Sequence, residues 1–137
     1  MGYVYTDIIL KNTKDVIFAR SGIINDSEIR QTVVQAMVDT GAGTLIINEA
    51  IRRELGLGIM EERYITLADK TRKLCELTEP VEIHWKNRST TQRAVVLAGA
   101  EEVLLGAIPL EDMDLMVDPV HGELTGVHGD DVVCLVM

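Results

Sequence analysis

Apolar and polar side chains alternate along several stretches of the chain. In its first part the alternation covers residues 3–10, 15–20 and 28–39. A period of two is typical of β-strands that bury one face. The polar segments between them, residues 11–14 and 21–27, the second of which contains Gly22, predict hairpin loops. We therefore expect an antiparallel meander here.

The remainder of the chain is also strand-like, with short helices between strands. Further strands are predicted at residues 64–67, 73–77, 81–85 and 93–97. A first helix is predicted after Asn48, a capping residue, and it should end at Gly56. A second is predicted at 108–113, where Pro109 suits an early helical position.

The chain closes on an apolar run over residues 132–136. Such a run predicts a terminal strand with two apolar faces, and both faces need cover. That cover comes either from the sheet of the same chain or from a symmetric partner. The pattern alone leaves both possibilities open.

Length and composition limit the classes of function. A chain of 137 residues predicts one domain, residues 1–137, and 47% hydrophobic with 26% charged residues is typical of globular proteins. The net charge of −9 argues against nucleic-acid and anionic-membrane partners. Two distant cysteines do not suggest a disulfide scaffold or a zinc site. Without a spanning or signal-like apolar run, we expect a cytoplasmic protein.

The segment with the most chemical information is Val38-Asp39-Thr40-Gly41-Ala42. It places an acid at the end of an apolar strand, directly before a glycine-containing turn. An Asp-x-Gly turn is common without any function. Here, however, apolar residues flank the turn on both sides, so it should lie inside the fold. A buried carboxylate is costly unless it is hydrogen-bonded or functional.

This segment resembles the signature of the retropepsin-like aspartic proteases of clan AA. A second family motif, apolar residues and a glycine leading into a short helix, is matched by Val103-Leu104-Leu105-Gly106 and the residues up to Leu110. The resemblance spans most of residues 3–137 and is greatest to prokaryotic single-domain members. It implies an all-β, retropepsin-like acid protease barrel with one or two short helices, and an aspartic endopeptidase activity.

Peptide hydrolysis by carboxyl groups needs two of them, one to take a proton from water and one to donate a proton. The chain has a single Asp-Thr-Gly, so the catalytic Asp39 must be supplied twice, by a homodimer. By resemblance, Thr40, Gly41, Ala42 and Gly106 support this site. Thr40 would bond across the dimer, although a hydroxyl here can also cap its own turn.

The resemblance also implies a β-hairpin flap that closes over a peptide or protein substrate. Residues 65–74 are the best candidate, and Ala68, Asp69, Lys70 and Thr71 at the tip would contact the substrate. Family flaps usually carry glycine at the position of Lys70, which puts the closure geometry in question. Asp69 is expected to be a turn residue.

Other functions were weighed against the peptidase. Residues 39–44 could form a phosphate-binding turn, but extended residues follow the glycines, and no P-loop lysine is present. His121 and His128 with Asp118, Asp130 and Asp131 could bind a metal, but each histidine precedes a glycine, and the pattern favours solvated turn histidines over a metal site. We expect no metal or cofactor. The main alternative is a non-catalytic peptide-binding or dimerisation module on the same fold.

Overall fold

The computed structural model describes residues 3–134, which are mostly in β-strands. The strands are β1 (Val4–Asn12), β2 (Gln31–Val38), β3 (Leu45–Ile47), β4 (Ile59–Thr66), β5 (Arg72–Trp85), β6 (Arg88–Val96), β7 (Val103–Leu105), β8 (Leu115–Asp118) and β9 (Glu123–Gly126). The helices are α1 (Thr13–Arg20), α2 (Glu49–Glu54) and α3 (Ala107–Asp112), and a 3₁₀ turn covers Asp26–Glu28.

Seven strands form one sheet in the order β1-β2-β7-β3-β6-β5-β4. An additional pairing of β1 with β5 closes six of them into a barrel and leaves β4 outside it. Among residues 3–134, β4 pairs with β5 and with no other strand, so these two strands project as a hairpin. The predicted all-β barrel is confirmed, with three short α-helices in the described residues instead of one or two.

The barrel encloses a core of aliphatic side chains. Leu10, Ile47, Ile83 and Leu105 come from four different strands and are almost completely buried. Burial of such side chains contributes about 1.5–3 kcal/mol each. The single tryptophan packs at the edge of this core, and its indole N–H donates to the Thr6 hydroxyl at 2.8 Å.

The prediction of a strand at residues 15–20 was wrong, because these residues form helix α1. The Asn12 side chain caps the helix by accepting from the Asp15 N–H at 3.1 Å. The buried Asp15 carboxylate accepts from the Arg30 guanidinium at 2.8 and 3.0 Å and from the Arg30 backbone N–H at 3.0 Å. The Asn12 cap and the ion pair of Asp15 with Arg30 therefore stabilise a helix in a segment whose alternation of apolar and polar residues predicts a strand.

Strand β5 joins two predicted strands, 73–77 and 81–85, into one of 14 residues. Its pairing with β6 shifts between Leu77 and Pro80, since a proline has no N–H for the ladder. Both predicted helices are confirmed. Asn48 accepts the Ile51 N–H at 2.9 Å at the start of α2, and Gly56 follows its end with φ +64°.

The region after α3 differs from its prediction. Strands β8 and β9 form a hairpin that the sequence pattern did not indicate. The buried Arg88 guanidinium fixes this region by donating to the carbonyls of Met113 and Gly129, both at 2.9 Å. Residues 132–134 lie in no strand, and residues 135 and 136 of the predicted terminal strand are outside the described residues.

Both cysteines are free thiols, Cys75 buried and Cys134 exposed, so they form no disulfide with each other. Among residues 3–134, no helix has the length and apolar character needed to cross a membrane.

Candidate active site

The two sequence motifs meet in space because β7 inserts between β2 and β3. Leu105 pairs with Val38 in a parallel arrangement and with Leu45 in an antiparallel one. The Asp39 N–H donates to the Leu105 carbonyl at 3.0 Å, and the Ala107 N–H donates to the Ala42 carbonyl at 2.8 Å. The loop that carries Asp39 is therefore held by backbone bonds to the second motif.

Gly106 occupies the tightest point of this junction. A Cβ atom there would lie 2.4 Å from the Thr44 carbonyl oxygen, 2.6 Å from the Thr44 nitrogen and 2.7 Å from the Ala42 carbonyl oxygen. All three contacts are with backbone atoms that cannot move aside like a flexible side chain. The glycine of the second motif thus permits the close packing that positions the first.

Asp39 follows β2 directly and is half-buried. One carboxylate oxygen, Oδ1, accepts the Gly41 N–H at 2.9 Å, and the Asp39 carbonyl accepts the Ala42 N–H at 3.0 Å. Between residues 3 and 134, no hydrogen bond engages the other oxygen, Oδ2. The side chain thus stabilises its own turn with one oxygen. The other is available for chemistry.

Asp39 lies at the wall of a cleft of about 820 Å³ between its loop and the β4–β5 hairpin. Most lining side chains are apolar, and they come from strands β3 to β7, from helix α3 and from the adjoining loops. They include Ile46, Ile65, Leu67, Leu77, Val95, Leu97, Leu104 and Ile108. Asp39 is the only carboxylate among the described residues that line the cleft, and Arg63 and Arg93 are the only cations.

The tip of the β4–β5 hairpin is the predicted flap tip. Lys70 donates its N–H to the Leu67 carbonyl at 2.9 Å and has φ +68°, a backbone conformation that favours glycine. Asp69 accepts the Thr71 hydroxyl at 2.6 Å and the Thr71 N–H at 3.0 Å. These bonds, the hydroxyl first, hold the pKa of Asp69 below its usual value. Asp69 is thus a turn residue, as expected, and Ala68 lines the cleft.

Thr40 is exposed beside Asp39. Within the part of the chain that the structure describes, its hydroxyl makes no hydrogen bond and so does not cap its own turn. This geometry removes the local alternative and leaves the hydroxyl available to a second molecule.

The two candidate metal-ligating histidines each lie beside a different aspartate. His121 Nδ1 lies 2.7 Å from Asp118 Oδ2, and Glu123 is close enough that the three could surround an ion. The hydrogen bond to the Asp118 carboxylate, followed by the negative charge of Asp118, raises the pKa of His121 above its usual value. His128 instead lies 2.7 Å from Asp114. The five predicted residues therefore do not form one site.

The phosphate-binding alternative for residues 39–44 does not fit the fold. Strand β3, not a helix, follows these glycines, so the chain does not run from this turn into a helix N-terminus as a phosphate-binding loop does. The first N–H groups of α3 do face the turn, but Ala107 and Ile108 donate theirs to the carbonyls of Ala42 and Gly43.

Sequence analysis missed the two arginines of the cleft. Arg63 could have been identified as a cleft residue from the sequence, because it occupies the same face of β4, here called the flap strand, as Ile65 and the following Leu67. Arg93 enters the cleft through the parallel pairing of β6 with β3, and no local pattern indicates that pairing.

The chain is similar to known proteins in sequence and in fold. Residues 25–112 match the model of the family described as gag-polyprotein putative aspartyl protease. A comparison with curated proteins finds no match.

Solved structures with a similar fold include three proteases or protease-like domains. EIAV protease complexed with the inhibitor HBY-793 is 23% identical, with a TM-score of 0.54 over 81% of this chain and 88% of that one. The retroviral protease-like domain of Ddi1 from Leishmania major is 16% identical, with a TM-score of 0.57 over 96% and 91%. A retropepsin-like aspartic protease from Rickettsia conorii is 18% identical, with a TM-score of 0.50 over 85% and 88%.

The family model covers well over half of the chain, and both motifs on which the Asp39 loop depends lie within it. The chain belongs to the gag-polyprotein aspartyl protease family and has the retropepsin fold.

Proposed function

We propose that this protein is an aspartic endopeptidase whose active site forms between two copies of the chain, each contributing Asp39. One observation carries the proposal. A single carboxylate, held by an Asp-Thr-Gly turn and free at one oxygen, lines a cleft large enough for a peptide segment.

The chemistry requires the second copy. One Asp39 carboxylate takes a proton from water, which attacks the peptide carbonyl carbon, while the protonated Asp39 of the other copy donates to the carbonyl oxygen. The tetrahedral intermediate then breaks its C–N bond as a proton passes to the departing nitrogen. Two carboxyls at short range share one proton, because both cannot be ionised.

The exposed Thr40 supports an isologous dimer, since its hydroxyl is available beside Asp39. A two-fold axis near this loop brings the Thr40 of each copy toward the other. Substrates are extended peptides, held under the flaps by main-chain hydrogen bonds, with side chains in the apolar cleft. The cytoplasmic location expected from the sequence is part of this proposal.

The test is cleavage of a diverse peptide pool between about pH 4 and 7.5 by the wild type, Asp39→Asn and Asp7→Asn. Asp7 is exposed on β1, so Asp7→Asn makes the same chemical change far from the cleft. We expect cleavage to survive Asp7→Asn and to be lost in Asp39→Asn, with both variants folded.

Sedimentation of the same samples reports the oligomeric state. A strictly monomeric wild type at tens of micromolar, that is about 10⁻⁵ M, contradicts the shared active site. A folded, dimeric wild type that cleaves nothing favours the alternative, a peptide-binding or dimerisation module.

A further inference from the structure

Two arginines that line the cleft, one on β4 and one on β6, share one glutamate. Arg63 on β4 donates to Glu61 Oε1 at 2.6 Å, and Arg93 on β6 donates to the same oxygen at 2.5 Å. Both arginines line the cleft, and their side chains are 56% and 36% exposed. The arrangement thus connects the flap strand to the barrel with charged groups that peptides can still reach.

The cluster carries more positive than negative charge. Two guanidiniums face one carboxylate, and this carboxylate remains ionised because the hydrogen bond from Arg93, followed by the charge of Arg63, holds the pKa of Glu61 below its usual value. Each guanidinium has five N–H donors and gives one to Glu61. One unbalanced positive charge and several donors therefore remain, on a chain whose net charge is −9.

The cluster of Glu61, Arg63 and Arg93 lies away from the tip of the β4–β5 hairpin. Glu61, Arg63, Ile65 and Leu67 alternate along one face of the flap strand, and Leu67 begins the tip. At about 3.3 Å per residue, Arg63 is about 13 Å from Leu67 along the strand. A peptide whose centre lies under the tip and which extends along β4 therefore places a different side chain beside the arginines. This side chain belongs to a residue two to four positions, or about 7–13 Å, from the centre of the peptide.

We propose, on the basis of the proposed peptidase function, that Arg63 and Arg93 select peptides with an acidic side chain two to four residues from the scissile bond. A carboxylate accepts from guanidinium groups in a paired, charge-assisted geometry. In a two-fold dimer the cluster occurs at both ends of the cleft, so the acidic residue is accepted on either side of the bond.

The test compares matched peptides that contain Glu or Gln at one of these positions. Binding is measured with Asp39→Asn, which leaves the peptide intact, and kcat/KM is measured with the wild type. We expect the Glu peptide to bind about five- to tenfold more tightly, and this preference should decrease at high salt.

Variants of the cluster distinguish recognition of an acidic peptide side chain from a purely structural role, in which the two arginines and Glu61 only connect β4 to β6. Arg63→Gln and Arg93→Gln should reduce the Glu preference, whereas Glu61→Gln, which breaks the same tether, should increase it. Arg72→Gln is the control, because Arg72 belongs to the same hairpin but lies over the Tyr64 ring, at 4.8 Å, outside the cleft lining. The Glu preference should be unchanged in this variant.

The two proposals fail in different ways. Equal binding of the Glu and Gln peptides by folded protein, or a lower preference in Glu61→Gln, overturns the acidic specificity even if peptides are cleaved. A wild type that cleaves nothing, but still prefers the Glu peptide through both arginines, contradicts the peptidase and supports the acidic recognition.

Discussion

The α-carbon of Gly106 lies so close to the backbone of Thr44 that a Cβ atom would be 2.4 Å from the Thr44 carbonyl oxygen. Gly106 belongs to the second motif and Thr44 follows the first motif by two residues, and their contact sets how β7 fits between β2 and β3. The position of Asp39 thus depends on a side chain being absent 67 residues later in the chain.

Gly106→Ala should lower the free energy of unfolding by about 3 kcal/mol or more, because the new methyl group meets backbone from both Thr44 and Ala42. Gly43→Ala is the matched control. A Cβ at Gly43 has no atom within 4 Å, so its effect should stay within about 0.5 kcal/mol. Urea unfolding measures both values, and similar losses in the two variants would contradict the close contact.

Thr40→Ala should weaken the dimer more than the monomer fold. The hydroxyl makes no hydrogen bond within residues 3–134, so its removal costs little unless a second copy accepts or donates to it. Sedimentation gives the dimer dissociation constant, which we expect to rise about tenfold. An unchanged dissociation constant would exclude Thr40 from the interface.

Lys70→Asn should stabilise the flap tip. A lysine at φ +68° is strained, whereas asparagine tolerates this conformation, so the free energy of unfolding should rise by about 0.5–1 kcal/mol. Lys73→Asn makes the same change at an exposed position in the extended strand β5 and should be neutral or destabilising. Thermal unfolding compares them, and a less stable Lys70→Asn would contradict the strain.

Asp15→Asn should destabilise the fold in a pH-dependent way. The Arg30 guanidinium, which donates to the Asp15 carboxylate, holds the pKa of this buried group below its usual 3.8. A carboxyl whose pKa falls on folding stabilises the protein above its unfolded pKa and loses that contribution as the pH falls through its folded pKa. The variant should lose about 1–3 kcal/mol at pH 7.

The loss should become smaller below about pH 4. Urea unfolding at several pH values measures it, with Asp7→Asn as an exposed control that should show little difference. A loss of stability in Asp15→Asn that does not change with pH would contradict the ion pair.

The motifs were predictable because their chemistry is local. The Asp39 turn and the Asn48 cap each depend on residues within a few positions, so the sequence contains the whole signal. Gly106 was identified only through the second motif, and the reason for the glycine, its contact with Thr44, is a tertiary fact.

The errors come from interactions over long sequence separations. Helix α1 depends on the hydrogen bond between Asp15 and Arg30. The position of Arg93 in the cleft depends on its hydrogen bond with Glu61. Two-residue alternation predicted a strand only from residue 64, whereas β4 begins at Ile59, so the prediction left out Arg63. The alternation also gave no information on which strand lies opposite this face.

The length of β5 has a consequence for how the molecule moves. Its first residues pair only with the flap strand, whereas residues 81–84 are bonded on both sides, to β6 and to β1. Amide hydrogens near Val81 and Ile83 should therefore exchange with solvent only on global unfolding, and those near Lys73 should exchange during local opening. The shift in pairing next to Pro80 separates these regions. One continuous strand therefore contains a stable part that belongs to the barrel and a part that can open locally with the β4–β5 hairpin.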